Sequence, residues 1–248
     1  MKITYQDLNI VYEDNHILVV VKPHNVPSQG DKSGDVDMLT LLKQYLKEKY
    51  HKEGNVFLGL VHRLDRPTGG VMVFAKTSKA AARLKTAIDN GDFEKRYLTV
   101  VNGVVEKEGV LDNYLLKYEA LNIVKVVPPA TKDAKRAVLK YWVFDHKQAK
   151  VDGVIRDYSL IWIKLFTGRT HQIRVQFANI GHSLVGDVKY GESKSALPFP
   201  LALWACELRF PHPVSGETLV FRVYPDLKQF PFSVFDVDPY LRLTARKD

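Results

Sequence analysis

Cysteine is almost absent: Cys206 is the single thiol in 248 residues. One thiol excludes an intramolecular disulfide and any cysteine-based zinc cluster, and fits a reducing cytoplasm. Long apolar runs are missing too. The longest near the start, Ile17 to Val21, is far short of a membrane span, and Met1 to Asp7 lacks the apolar stretch of a signal peptide. A soluble, cytoplasmic protein is expected. Nor is there an acidic excess. Against 28 Asp and Glu stand 36 Lys and Arg, a formal charge of +8. Such a balance suits a polyanionic partner, because each phosphate contact releases a condensed counterion. A merely basic soluble protein has the same balance, so charge nominates nucleic acid without proving it. No repeat and no low-complexity linker divides the chain, and 46% of it is hydrophobic. One domain over 1–248 is expected, with 225–248 as an irregular tail and a monomer as the default state.

What is present reads mostly as strands. Ile17 to Lys22 is β-branched and stops at Pro23, and Gly70 to Lys76, Tyr97 to Asn102, Tyr114 to Tyr118, Ile123 to Val127, Ala137 to Phe144 and Tyr158 to Phe166 have strand composition. Trp204 to Phe210 and Thr218 to Val223 form a hairpin around Ser215-Gly216. Helices are expected from Asp37, from Ser78 to a left-handed stop at Gly91, and from a Thr170 cap to about Ile180. Many strands, few helices and no regular βα alternation predict an α+β fold with a largely antiparallel sheet.

Three segments could carry chemistry. The first, Leu60-Val61-His62-Arg63-Leu64-Asp65-Arg66-Pro67-Thr68-Gly69-Gly70, is a polar loop between apolar pieces, with a carboxylate flanked by two arginines. By itself it fits a salt-bridged surface turn better. It also differs from a kinase His-Arg-Asp loop, because Leu64 precedes the Asp and no glycine-rich phosphate loop comes before it. The second, Thr167-Gly168-Arg169-Thr170-His171-Gln172-Ile173-Arg174, sits at a strand-to-helix junction where free amides and arginines suit an anion. His171 and His182 have no metal-ligand spacing, so no metal is expected. The third, Phe93-Glu94-Lys95-Arg96-Tyr97-Leu98, offers Tyr97 either as a stacking platform or as a sheet tyrosine.

In this order and spacing the segments resemble the RluA-type pseudouridine synthases. The likeness runs from Asn9-Ile10-Val11-Tyr12-Glu13-Asp14 through Val19-Val20-Val21-Lys22-Pro23 to about Val223, and takes in Gly181-His182 and Gly186-Asp187. The resemblance implies a mixed, mostly antiparallel sheet with flanking helices and a central active cleft, working on RNA without metal or organic cofactor. It implies that Asp65 is the catalytic aspartate, that Tyr97 stacks on the target uracil, and that Arg174 pairs with the aspartate. Arg63 would help to hold the flipped nucleotide; His62, Arg66, Arg169 and His171 are the further candidates for RNA contact. Two departures stand out. Thr68-Gly69-Gly70 replaces the usual Thr-Ser-Gly, and the S4 RNA-binding domain of many relatives is expected to be absent, because the likeness begins within the first ten or so residues.

The residue set suits the reaction. Breaking the N1–C1′ bond builds positive charge on the sugar, which a carboxylate can stabilise or trap. A hydrolase would need a second carboxylate to activate water, whereas an isomerase excludes water and recaptures the base. A non-catalytic RNA-binding module or chaperone is the alternative, but it has no need of a carboxylate facing phosphates. A hydrolase using Asp65 with His62 or His171 lacks both a Gly-x-Ser-x-Gly motif and a paired carboxylate. Whether the RNA is transfer or ribosomal stays open at this point.

Overall fold

The computed structural model describes residues 3–151, 153–191 and 199–240. The chain forms two compact units, Met1–Lys95 with Ala205–Val223, and Arg96–Trp204 with Tyr224–Asp248. Its strands are β1 (Asn9–Glu13), β2 (Ile17–Lys22), β3 (Gly59–Leu60), β4 (Gly69–Ala75), β5 (Glu94–Asn102), β6 (Glu108–Tyr118), β7 (Ile123–Val127), β8 (Lys135–Val151), β9 (Val154–Leu165), β10 (Leu203–Pro211) and β11 (Thr218–Arg222). The helices are α1 (Met38–Lys49), α2 (Ser78–Asn90) and α3 (Gln172–Asn179). The unit boundaries fall within β5 and β10. The fold is α+β, as the sequence pattern implies.

In the first unit the strand order is β1-β2-β4-β10, with β3 on β4 and β11 on β10. The β1–β2, β2–β4 and β10–β11 ladders are antiparallel. Every residue of β4 is buried, and so are five of the six in β2. Strands covered on both faces need continuous apolar runs rather than alternation, which is why they read as the unbroken stretches Ile-Leu-Val-Val-Val and Val-Met-Val-Phe-Ala. Ala80, Leu84 and Ala87 of α2 pack with Ile17, Val19, Val71, Val73, Phe93 and Phe210 on one side. The cap of α2 is Thr77, one residue before the expected Ser78: its side chain accepts the Ala80 N–H. Gly91 closes the helix in the left-handed conformation, as expected. Asp37 caps α1 by accepting the Thr40 N–H at 3.1 Å.

In the second unit the order is β5-β9-β8-β6-β7. The expected strands here are longer than their apolar cores suggested, because β8 and β9 stay paired from Leu139↔Leu165 out to Val151↔Val154. Leu115, Val124 and Ala137 form a cluster with Val175 of α3, and the Gln176 amide donates to the carbonyls of Leu111 and Ala137. These contacts fix α3 on one face of the sheet. Thr170 is not its cap. His171 holds that place with φ +52° and no side-chain cap bond. Instead the Gln172 carboxamide oxygen accepts from the Thr167 hydroxyl at 2.8 Å and the Arg169 N–H at 3.0 Å, which closes the loop from within the helix. Of the expected tail, 241–248 lies outside the described residues; up to Tyr240 the tail belongs to the second unit, and the Tyr240 ring stacks on Phe144.

Candidate active site

Asp65 stands on the loop between β3 and β4, half-buried, at the start of a turn in which the Thr68 N–H donates to its carbonyl at 2.9 Å. The residues around it are held by backbone contacts. The Ser28 hydroxyl donates to the Leu64 carbonyl at 2.8 Å and accepts the Leu64 N–H at 3.2 Å. On the other side the Lys22 ammonium, fully buried, donates to the carbonyls of Pro23 (2.9 Å), Val26 (2.6 Å) and Arg66 (3.0 Å). The His24 ring, through Nδ1, donates to the Pro67 carbonyl at 2.7 Å. So three side chains from the end of β2 and the segment after it brace 64–67, and the carboxylate is carried on a stiffened loop.

The backbone below leaves no choice of residue. Gly70, paired with Lys22 across the ladder, has φ +126°, and a Cβ there would meet the Ala205 carbonyl oxygen at 2.3 Å. Gly69, where the resemblance implies a serine, is buried in β4.

Lys22 stands close enough to Asp65 and Arg66 to feel both charges. Burial pushes the Lys22 ammonium down to about 7; the Asp65 charge opposes that shift and Arg66 adds to it. Arg66 turns towards 31–35, where it donates to the Ser33 hydroxyl at 2.9 Å and pairs with Asp35. Arg63 is exposed. The His62 ring faces inward: Nε2 accepts the Val73 N–H at 3.1 Å and the ring lies 5.4 Å from Phe93. Burial, and secondarily Lys95, pushes its imidazole down to about 3, so it is neutral.

The second unit carries Tyr97, Arg169, His171 and Arg174. Tyr97 on β5 is buried, 6% exposed. Arg174, 4% exposed on α3, makes a bidentate pair with Asp187: Nε to Oδ2 at 2.7 Å and a terminal nitrogen to Oδ1 at 2.8 Å. Burial works against the Asp187 charge, yet the Arg174 guanidinium and the N–H groups of Tyr190 and Lys189 hold its carboxyl below the usual range. A buried pair needs such further hydrogen bonds to offset its desolvation, and Asp187 Oδ1 accepts two of them, from the Lys189 and Tyr190 N–H groups. Tyr190 completes the cradle. Its ring lies 5.3 Å from the Arg174 guanidinium carbon, and its hydroxyl is 2.7 Å from His171 Nδ1. Gly186, at φ +81°, brings this turn so close to Pro200 that a Cβ would lie 2.6 Å from its carbonyl oxygen. Arg169 is exposed, with Nε on the Arg136 carbonyl.

Sequence reasoning assigned no role to Lys22, Asp187 or Tyr190. A cation ending the apolar run of β2 was the available signal for Lys22. For Asp187, adjacency to Gly186 was the only signal. Among the described residues no group of three or more His, Cys, Asp or Glu could hold a metal, and no helix is long and apolar enough to cross a membrane.

The solved structure of human RNA pseudouridylate synthase domain containing 1 has the same fold, with a TM-score of 0.76 over 100% of this chain and 98% of that one at 21% identity. A family model described as RNA pseudouridylate synthase matches residues 16–179. Ribosomal large subunit pseudouridine synthase D of Zymomonas mobilis is 36% identical over 226 residues, 86% of this chain and 68% of that one. The tRNA pseudouridine synthase C of Vibrio parahaemolyticus is 34% identical over 253 residues, 95% of this chain and 98% of that one. The chain belongs to the RNA pseudouridylate synthase family, of the RluA type, and is an RNA isomerase.

Proposed function

We propose that this isomerase converts uridines of cytoplasmic transfer or ribosomal RNA to pseudouridine, acting as a monomer, with Asp65 as the catalytic carboxylate and without metal. One observation carries the assignment of Asp65: it is the carboxylate of a loop braced on both sides by buried Ser28 and Lys22, so its position is fixed while its side chain is half-exposed. Pre-organisation of this kind is what stabilising developing charge on a sugar requires. Tyr97 supplies a ring for the displaced uracil, and Arg174, held by Asp187, supplies a positive charge in a fixed orientation. Taking the base out of its stack costs a few kcal/mol, which phosphate contacts and stacking offset. Arg63 and Arg169, both exposed, are the RNA contacts we favour within the two blocks; His62 and His171, whose rings are engaged inside, serve as braces.

The test is Asp65→Asn, assayed by pseudouridine formation in unmodified tRNA and rRNA transcripts. Isomerisation should fall by about a thousandfold or more, while RNA affinity stays equal or rises because a repulsive charge has gone. Near-normal turnover in the Asn variant would remove Asp65 from the chemistry. A wild-type chain that binds these RNAs yet modifies neither, nor total RNA, would favour a binding module instead.

A further inference from the structure

The sheet of the second unit has two unlike faces. One is covered by α3, which seals Leu115, Val124 and Ala137. On the other, among the described residues, lie the alternate side chains of β6 and β8, where exposure repeats with the two-residue period of a strand, together with Lys125 of β7 and Lys164 of β9; Trp162 of β9, on the same face, is buried. The register places Lys140 directly opposite Lys164, and Leu116 directly opposite Lys125, on this second face. Each of these lysines lies over an aromatic ring of the same face: Lys140 at 4.8 Å from Trp142, Lys125 at 5.5 Å from Tyr118, and Lys164 at 5.8 Å from Phe166. Phe166 is 58% exposed and Tyr118 41%, while Trp142 is half-exposed. The acidic side chains of this face include Glu108, Asp112, which is paired with Arg136, and Asp145, which lies opposite Leu160 in line with Trp162 and pairs with Lys147. At one end the Phe144 ring is covered by Tyr240, and Trp162, opposite Trp142, stacks on the same ring.

We propose that this face binds a single-stranded segment of the substrate RNA. Lysines take the phosphates and the rings take bases, the combination used by sequence-tolerant single-strand surfaces. A duplex offers no free base faces, so the aromatic half of the pattern points to unpaired nucleotides. The inference rests on the reading of the chain as an RNA isomerase, and the experiment separates the two.

In the Asp65→Asn background, binding of a dodecauridylate is followed by tryptophan emission and by salt titration, beside an RNA duplex of equal length. Dodecauridylate should quench emission, and Trp142→Phe should remove most of that quenching. The triple variant Lys125→Gln, Lys140→Gln, Lys164→Gln should bind more weakly, and the slope of log K against log salt should shrink by about 2, roughly 0.7 for each lysine–phosphate pair removed. Should the triple variant misfold, Lys140→Gln alone should lower the slope by about 0.7. Unchanged affinity and slope overturn the proposal. So does a duplex that binds more tightly than the single strand with the same sensitivity to the lysines, or a dimer of the native chain that the triple variant abolishes. Pseudouridine formation by the otherwise native chain is scored separately: its loss sinks the isomerase reading even if the face binds RNA, and its presence with an inert face sinks only the face.

Discussion

The Asp65 loop and the Arg174 helix solve the same problem, fixing a charged group, in opposite ways. Asp65 stays half-exposed, and the fixing is done on its neighbours' backbone by Ser28, Lys22 and His24. Arg174 is sunk into the second unit and fixed through its own side chain by Asp187 and Tyr190. A group whose own polar atoms must meet substrate gains from bracing at one remove. A group that supplies a field can be buried, provided its partner goes with it. The cost is placed differently as well. In the first unit the expensive buried charge is Lys22, which braces a neighbouring loop; in the second it is Arg174 itself.

Removing Asp187 should give the largest effect. Asp187→Ala leaves the Arg174 guanidinium buried without this carboxylate and should cost about 3–5 kcal/mol in urea unfolding. The exposed Arg66–Asp35 pair gives the contrast: Asp35→Ala should cost at most about 1 kcal/mol. Equal costs would erase the distinction between the two regions.

Next comes Lys22→Met, read as a function of pH. Burial lowers the folded pKa to about 7 from 10.5, so the folded state gives up this proton before the unfolded chain does. The cost of the buried charge is present in full below about pH 7 and fades as the pH rises towards 10.5. Relative to Lys22→Met, the native chain should therefore gain up to a few kcal/mol of stability across that window. A flat difference would mean that the carbonyls of Pro23, Val26 and Arg66 fully compensate the ammonium.

Tyr97 extends the contrast to the substrate side. Tyr97→Leu should weaken binding of an RNA with a flipped or unpaired uridine by about 1–3 kcal/mol, whereas Tyr97→Phe should bind almost normally. Identical wild-type behaviour of both variants would return Tyr97 to the sheet core. The smallest effect belongs to the cap of α2. Thr77→Ala should cost about 1 kcal/mol and Ser78→Ala much less, measured by thermal unfolding.

The strands of the first unit are legible in the chain alone, because burial on both faces leaves an uninterrupted apolar run that is visible without partners. The family is legible too, since the two polar blocks are local in the chain and each is specific. Cap identities are only half so. Thr77 and Ser78 are both capping residues, and the φ of His171 is set by Gln172 reaching back to Thr167 and Arg169, a choice that neighbours in space make. The roles of Lys22, Asp187 and Tyr190 emerge only from packing in three dimensions. A lysine at a strand end and an aspartate after a glycine are ordinary in sequence. What sets them apart is burial against particular partners: Lys22 against the Arg66 carbonyl, 44 positions on, and Asp187 against Arg174, 13 positions back. Burial is a property of the packed chain, and so is the electrostatic cost that comes with it.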